Sequence, residues 1–187
     1  MPRIIAGRLG GRPIPGSVGP GTRPTSDRVR EAVFSRLDGW DALDGARVAD
    51  LYAGTGALAL EALSRGAAHA LVVEAHGPTA STLRRATRAL GLADVTEVRH
   101  GRAEQSVDAL APGSLDLVFL DPPYDVATVQ IEDLLQRLLP ALTPDAVVVV
   151  ERSARGQELQ WPQGYADDGA KRYGETVVHY GGPTVAA

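Results

Sequence analysis

The run Ala46-Arg-Val-Ala-Asp50-Leu-Tyr-Ala-Gly54-Thr-Gly56-Ala-Leu-Ala59 decides the class of fold. Its first half is largely apolar, as suits a strand covered on both faces. Gly54 and Gly56 interrupt it, and a helix-forming Ala-Leu-Ala follows. Glycines accept the backbone angles of a tight turn and let a ligand come close, while Ala59 allows the helix to lie against the strand. The rhythm then repeats. Apolar strand-like runs at 46–52, 70–74, 95–100, 115–120 and 146–150 alternate with helical stretches at about 56–65, 78–90, 103–110 and 126–138. Buried parallel strands joined by right-handed helical crossovers predict a doubly wound α/β sheet. The tail breaks the pattern: 175–180 alternates Thr176, Val178 and Tyr180 with Val177 and His179, which predicts a terminal antiparallel strand.

Open sheets of this kind bind ligands in the crevice outside the carboxyl ends of their strands. The glycine turn opens onto that crevice, and by itself it suits a dinucleotide equally well. Glu74 ends the next strand, 18 positions after Gly56. A carboxylate there can accept hydrogen bonds from the ribose hydroxyls of either NAD or S-adenosylmethionine.

The fourth strand ends in Leu-Asp121-Pro122-Pro123-Tyr124, across the same crevice. This motif resembles that of methyltransferases acting on planar amino groups. An exocyclic amino nitrogen is a poor nucleophile because its lone pair is delocalised into the ring. The Asp121 carboxylate and the Pro122 carbonyl can each accept one N–H and draw the nitrogen toward tetrahedral geometry. Consecutive prolines stiffen the loop and remove competing donors. Tyr124 offers an aromatic face for a flipped or unpaired base. These residues are the expected catalytic set.

Composition bounds the alternatives. A chain of 187 residues suits one substantial core, read here as a methyltransferase domain over 25–187 preceded by an arm over 1–24. Without cysteine, disulfides and thiolate metal sites are excluded, and four scattered histidines point to no metal. No apolar run reaches the ~18 residues of a membrane span. The start has no signal-peptide pattern, so a monomeric cytoplasmic protein is expected. The net charge is −4, yet residues 1–40 carry seven arginines against Asp27, Glu31 and Asp38, a net of +4, leaving −8 for the rest. Arg3, Arg8 and Arg12 lie in a Gly/Pro-rich stretch that reads as a hairpin or flexible arm ordering on phosphate. Residues 16–24 read as a linker. A helix capped by Thr25 or Ser26 then places Val29, Ala32, Val33 and Leu37 inward, with Arg28, and Arg30 nearby, available to RNA.

With these motifs placed, the chain resembles the RsmD family of 16S ribosomal RNA guanine-N2 methyltransferases nearly end to end. The resemblance rests on Arg3-Ile-Ile-Ala-Gly-Arg8, on Arg23-Pro-Thr-Ser-Asp-Arg28-Val-Arg-Glu31, and on the glycine motif extended through Leu-Glu61-Ala-Leu-Ser-Arg-Gly66-Ala. Asp121-Pro-Pro-Tyr124 and Lys171-Arg-Tyr-Gly174 complete it. It implies a class I, Rossmann-like methyltransferase sheet that uses S-adenosylmethionine on RNA of an assembling small ribosomal subunit. It implies a cofactor site of Arg23, Thr25, Asp50, Ala53, Gly54, Gly56, Glu74 and Ala103, with Arg3, Arg8, Arg12 and Arg28 on RNA. Adenine-N6 methylation of DNA or RNA is the alternative within the enzyme class. Two positions depart from the family pattern. Tyr52 stands where Phe is usual, and Arg102 stands where an Asp or Asn commonly contacts adenine, leaving the Ala103 N–H and Glu104 as polar groups there.

Overall fold

The computed structural model describes residues 1–16 and 26–185. Helix α1 (Asp27–Gly39) leads into five strands alternating with four helices: β1 (Arg47–Asp50), α2 (Ala57–Ser64), β2 (His69–Glu74), α3 (Gly77–Ala89), β3 (Thr96–His100), α4 (Ala103–Asp108), β4 (Leu115–Leu120), α5 (Thr128–Leu138) and β5 (Leu142–Ser153). A closing hairpin follows, β6 (Tyr165–Tyr173) and β7 (Thr176–Pro183). The seven strands are ordered β3-β2-β1-β4-β5-β7-β6. The first five run parallel, and β7 is antiparallel to both β5 and β6. Chain order reverses between β1 and β4, which opens the ligand crevice above the ends of these strands.

Strand side chains alternate between faces, and the core divides accordingly. Val48, Val72, Leu117 and Phe119 pack under α1, α2 and α3. Ala49, Leu71, Val73, Val118 and Leu120 pack under α4 and α5. Phe34 of α1 is fully buried and meets Phe119 with ring centroids 5.6 Å apart. Ser26 caps α1, its Oγ accepting the Val29 N–H at 3.2 Å.

Two expectations about the strands change. The fifth strand extends well beyond 146–150, and β6 has no counterpart among the strands expected from the sequence. Most of β6 is exposed and polar, carrying Asp167 and Asp168, because it is the sheet edge. An edge strand needs no apolar alternation, and charges there discourage pairing with another chain. Of the two forms expected for the arm, the structure adopts the hairpin. Residues 1–16 form a packed hairpin. Arg3 bridges Pro13 antiparallel, and Ile4 N–H donates to Arg12 O at 2.9 Å. Ile4, Leu9 and Ile14 are buried in the same core as α1, α2 and α3. The Glu61 carboxylate of α2 accepts the N–H groups of Ile5 and Ala6 at 2.7 and 3.0 Å. Ser64 Oγ accepts the Leu9 N–H at 2.9 Å and donates to Ala6 O at 2.6 Å. Three apolar anchors spaced five residues apart supply burial that a Gly/Arg-rich composition conceals. Arg30, expected to be available to RNA, is buried and donates to Arg3 O at 2.5 Å and Asp27 Oδ1 at 2.8 Å. The predicted linker lies mostly outside the described residues. Among the described residues no helix is long and apolar enough to cross a membrane.

Candidate active site

Asp50 ends β1 and is buried, with neither carboxylate oxygen closing a hydrogen bond. Desolvation, with the neighbouring charges of Asp121 and Glu74, pushes its carboxyl up to about 7, against a smaller opposing pull from the backbone N–H groups of Tyr52 and Ala59. Beyond Asp50 the chain turns sharply. Ala53 N–H donates to Val73 O at 3.0 Å, and Gly56 N–H closes the turn on Ala53 O at 2.8 Å. Gly54 and Gly56 both have positive φ, +54° and +78°, where a side chain is strained. The space around them differs. A Cβ on Gly54 would project into open space, whereas one on Gly56 would strike Leu83 Cδ1 at 2.4 Å. That atom is the movable end of an α3 side chain, so the positive φ is the firmer constraint on Gly56.

Glu74 ends β2 and reaches across to this turn. Its Oε2 accepts the Gly54 N–H and its Oε1 the His76 N–H, both at 2.8 Å. Each oxygen keeps a further lone pair for a hydroxyl. Beside it, Gly101 N–H donates to Glu74 O at 3.0 Å, which joins the ends of β2 and β3. Arg102 caps α4 with its side chain turned outward, 3.6 Å from Glu104 Oε2, and Ala103 is buried. Asp121 follows β4, half-buried, with Pro122 buried and Tyr124 54% exposed.

The crevice thus gathers Asp50, Ala53, Gly54, Gly56, Glu74, Ala103, Asp121, Pro122 and Tyr124. Arg23 and Thr25 lie outside the described residues. Arg28 is exposed in the first turn of α1, at the crevice end, because the far end of α1 meets Arg65 through Asp38 at 2.7 Å. Arg3, Arg8 and Arg12 are exposed on the hairpin. Arg8 N–H bonds Ser64 O at 2.8 Å, and Arg12 Nη2 reaches Ala89 O at 3.4 Å. Both partners end helices that descend from the crevice, so Arg8 and Arg12 sit at the opposite end of the sheet from Asp121.

Sequence reasoning overlooked the contribution of β5. Arg152 is 8% exposed and donates from Nη2 to Val126 O at 2.7 Å and Thr128 Oγ1 at 3.2 Å. It thereby fastens the segment after Tyr124 to the sheet. Burial lowers its pKa, opposed by the charges of Tyr52 and Asp121. Glu151 lines a small cleft beneath Asp121 with Val33, Leu58 and Val178. The signal in the sequence is a charged Glu-Arg pair closing an apolar run, at a strand end that faces the crevice.

A buried acidic floor, a glycine turn open to one side and a carboxylate held at the turn suit a cationic, ribose-bearing ligand. Comparisons agree with this arrangement. The family described as conserved hypothetical protein 95 matches residues 2–182. Ribosomal RNA small subunit methyltransferase D of Haemophilus influenzae is 34% identical over 80% of this chain and 77% of that protein. A solved Escherichia coli chain, yhhF, superposes with a TM-score of 0.82 at 29% identity, covering 97% of each chain. An RNA methyltransferase from Salinibacter ruber, solved with S-adenosyl-L-homocysteine, shares the fold at a TM-score of 0.65 and 20% identity, over 88% of this chain and 97% of that one.

Proposed function

This chain belongs to the RsmD family of ribosomal RNA small subunit methyltransferases, and from that premise we propose that it methylates the exocyclic N2 of a guanine in 16S ribosomal RNA. The observation that carries the reading is Asp121-Pro-Pro-Tyr124 at the end of β4, facing the glycine turn and Glu74 across one crevice. S-adenosylmethionine, when bound, supplies the electrophilic methyl group. Asp50, Ala53, Gly54, Gly56, Glu74 and Ala103 would hold it, with Arg23 and Thr25 added by family resemblance. Glu74 accepts the ribose hydroxyls, and the acidic floor favours the cofactor's positive charge.

Asp121 and the Pro122 carbonyl each accept an N–H of the target amine, orienting its lone pair. An ordinary carboxylate, with a pKa of about 4, is too weak a base to deprotonate a neutral amino group. Asp121 instead takes the proton once nitrogen has become acidic through bond formation. Tyr124 stacks on the base. Positioning of this kind supplies roughly 7–11 kcal/mol in well-oriented reactions. The proposal includes monomeric action in the cytoplasm on an assembling subunit, with Arg3, Arg8, Arg12 and Arg28 contacting RNA.

Mass mapping of methylated nucleosides tests it directly. Small subunits from cells lacking the protein should miss one N2-methylguanine, and the purified protein should restore it. Restoration of N6-methyladenine instead would establish the rival base.

A further inference from the structure

Charge is spread unevenly over the fold. Arg47, Arg65, Arg99, Arg137 and Arg155 each close an ion pair with a carboxylate. Arg3, Arg8 and Arg12 of the hairpin and Arg84, Arg85 and Arg88 of α3 close none among the described residues. Packing brings these two sets together, since Arg12 lies over the last turn of α3 with Nη2 3.4 Å from Ala89 O. Residues 1–16 and 77–100 hold seven arginines against Asp94 and Glu97, a net of +5, on a chain whose total is −4. The remaining residues therefore carry −9. Uncompensated charge concentrated on one face of an acidic protein selects a polyanion and repels it elsewhere.

That face also has a shape. A groove of about 260 Å³ opens between α3 and the edge strand β3, lined by Arg84, Thr87, Arg88, Ala93, Thr96 and Val98. Arg84 Nη2 donates to Val98 O at 3.2 Å, which fixes one guanidinium across the groove. Arg88 stands one turn further along α3, exposed and without a hydrogen-bond partner among the described residues. We propose that this groove, extended by Arg12, is a second RNA contact that binds phosphates of the ribosomal RNA away from the methylation crevice. The inference rests on the RNA methyltransferase reading and adds a docking surface to it. Helix α3 runs from the crevice end of β2 to the start of β3, so Arg88 lies about 16 Å along the helix from Gly77. An isolated nucleotide cannot reach both places, whereas a folded RNA can. Guanidinium groups match phosphate in charge and in the geometry of their paired donors.

Binding of protein-free 16S RNA by Arg84→Gln/Arg88→Gln, measured across a salt series, tests the inference. Arg137→Gln, on the opposite face of the sheet, serves as the control. The double glutamine variant should bind at least roughly tenfold more weakly, with the slope of log affinity on log salt flatter by about 0.7 for each phosphate no longer neutralised. Arg84→Lys/Arg88→Lys should retain most of both, and cofactor affinity and Tm should hold in every variant. Wild-type affinity and slope in the glutamine variant would overturn the inference. So would equal losses in the lysine and glutamine pairs with a fall in Tm, which would mark a packing role. A loss seen only with assembled subunits, and not with protein-free RNA, would assign the face to an acidic protein and overturn it too. Failure of the wild type to methylate 16S RNA would sink the proposed function while leaving this binding result readable on its own.

Discussion

The Gly54 N–H donates to Glu74 Oε2 at 2.8 Å, so the carboxylate expected to hold the cofactor ribose also shapes the glycine turn. The His76 N–H on Oε1 holds it from the other side. Losing one charge-assisted hydrogen bond costs about 1.5–3 kcal/mol. Glu74→Ala should weaken S-adenosylmethionine affinity roughly 10- to 150-fold by calorimetry, with a lower Tm because two loop amides lose their acceptor. Unchanged affinity would remove Glu74 from the cofactor site.

Asp121→Ala should abolish methyl transfer while leaving cofactor affinity nearly intact, because its partner is the target amine. Tyr124→Ala should raise KM for the subunit and slow transfer, since base–aromatic stacking is worth about 1–3 kcal/mol, and Tyr124→Phe should be milder. Near-normal turnover in Asp121→Ala would refute the proposed mechanism.

Asp50 gives a pH signature. Its folded-state pKa, about 7, lies above the ordinary aspartate value of 3.8. Between those values the folded state holds the proton more tightly than the unfolded state does. The Asp50 contribution to stability therefore falls as pH rises through that window and is constant above it. Asp50→Asn should resemble the wild type in Tm at pH 4 and exceed it increasingly up to pH 8. Binding of the cationic cofactor should strengthen with pH through about 7 in the wild type and less so in the variant. Parallel Tm curves across this range would show that Asp50 is not protonated in the free protein.

The hairpin is expected to act on stability first. Ile4 is fully buried, and truncating a buried isoleucine to alanine costs about 2–5 kcal/mol. Ile4→Ala should lower Tm by roughly 4–20 °C for a domain of this size. Arg8→Gln, at an exposed position, should leave Tm unchanged and weaken RNA binding. Melting curves on both variants separate anchor from contact, and an unaltered Tm in Ile4→Ala would contradict the packed hairpin.

Arg152 should govern transfer rate without governing cofactor affinity. Arg152→Gln removes the donor to Val126 O and Thr128 Oγ1 and the positive charge facing Asp121. We expect kcat to fall at least tenfold, with S-adenosylmethionine affinity little changed and a shifted pH–rate profile. Partial recovery in Arg152→Lys would separate charge from hydrogen-bond geometry. A normal kcat and pH profile would reduce Arg152 to a structural residue.

Much was legible in the chain because the relevant constraints are local. Strands β1, β2 and β4 announce themselves as apolar runs, and the Gly54 turn follows from a backbone conformation that few other residues adopt. Asp121-Pro-Pro-Tyr124 is contiguous, so its chemistry can be read without a fold. Tertiary structure decided what depends on distant partners. Nothing near Arg3 in sequence foretells that Ile4 and Ile14 are buried, because the surface that buries them belongs to α1, α2 and α3. Nothing near Gly56 reveals that the side chain of Leu83, 27 positions away, packs against it. Strand β6 is silent because an exposed edge strand needs no apolar alternation. Arg152 and the arginines of α3 acquire meaning only when folding sets them beside the catalytic loop and the hairpin, since electrostatic energy depends on separation in space and not along the chain.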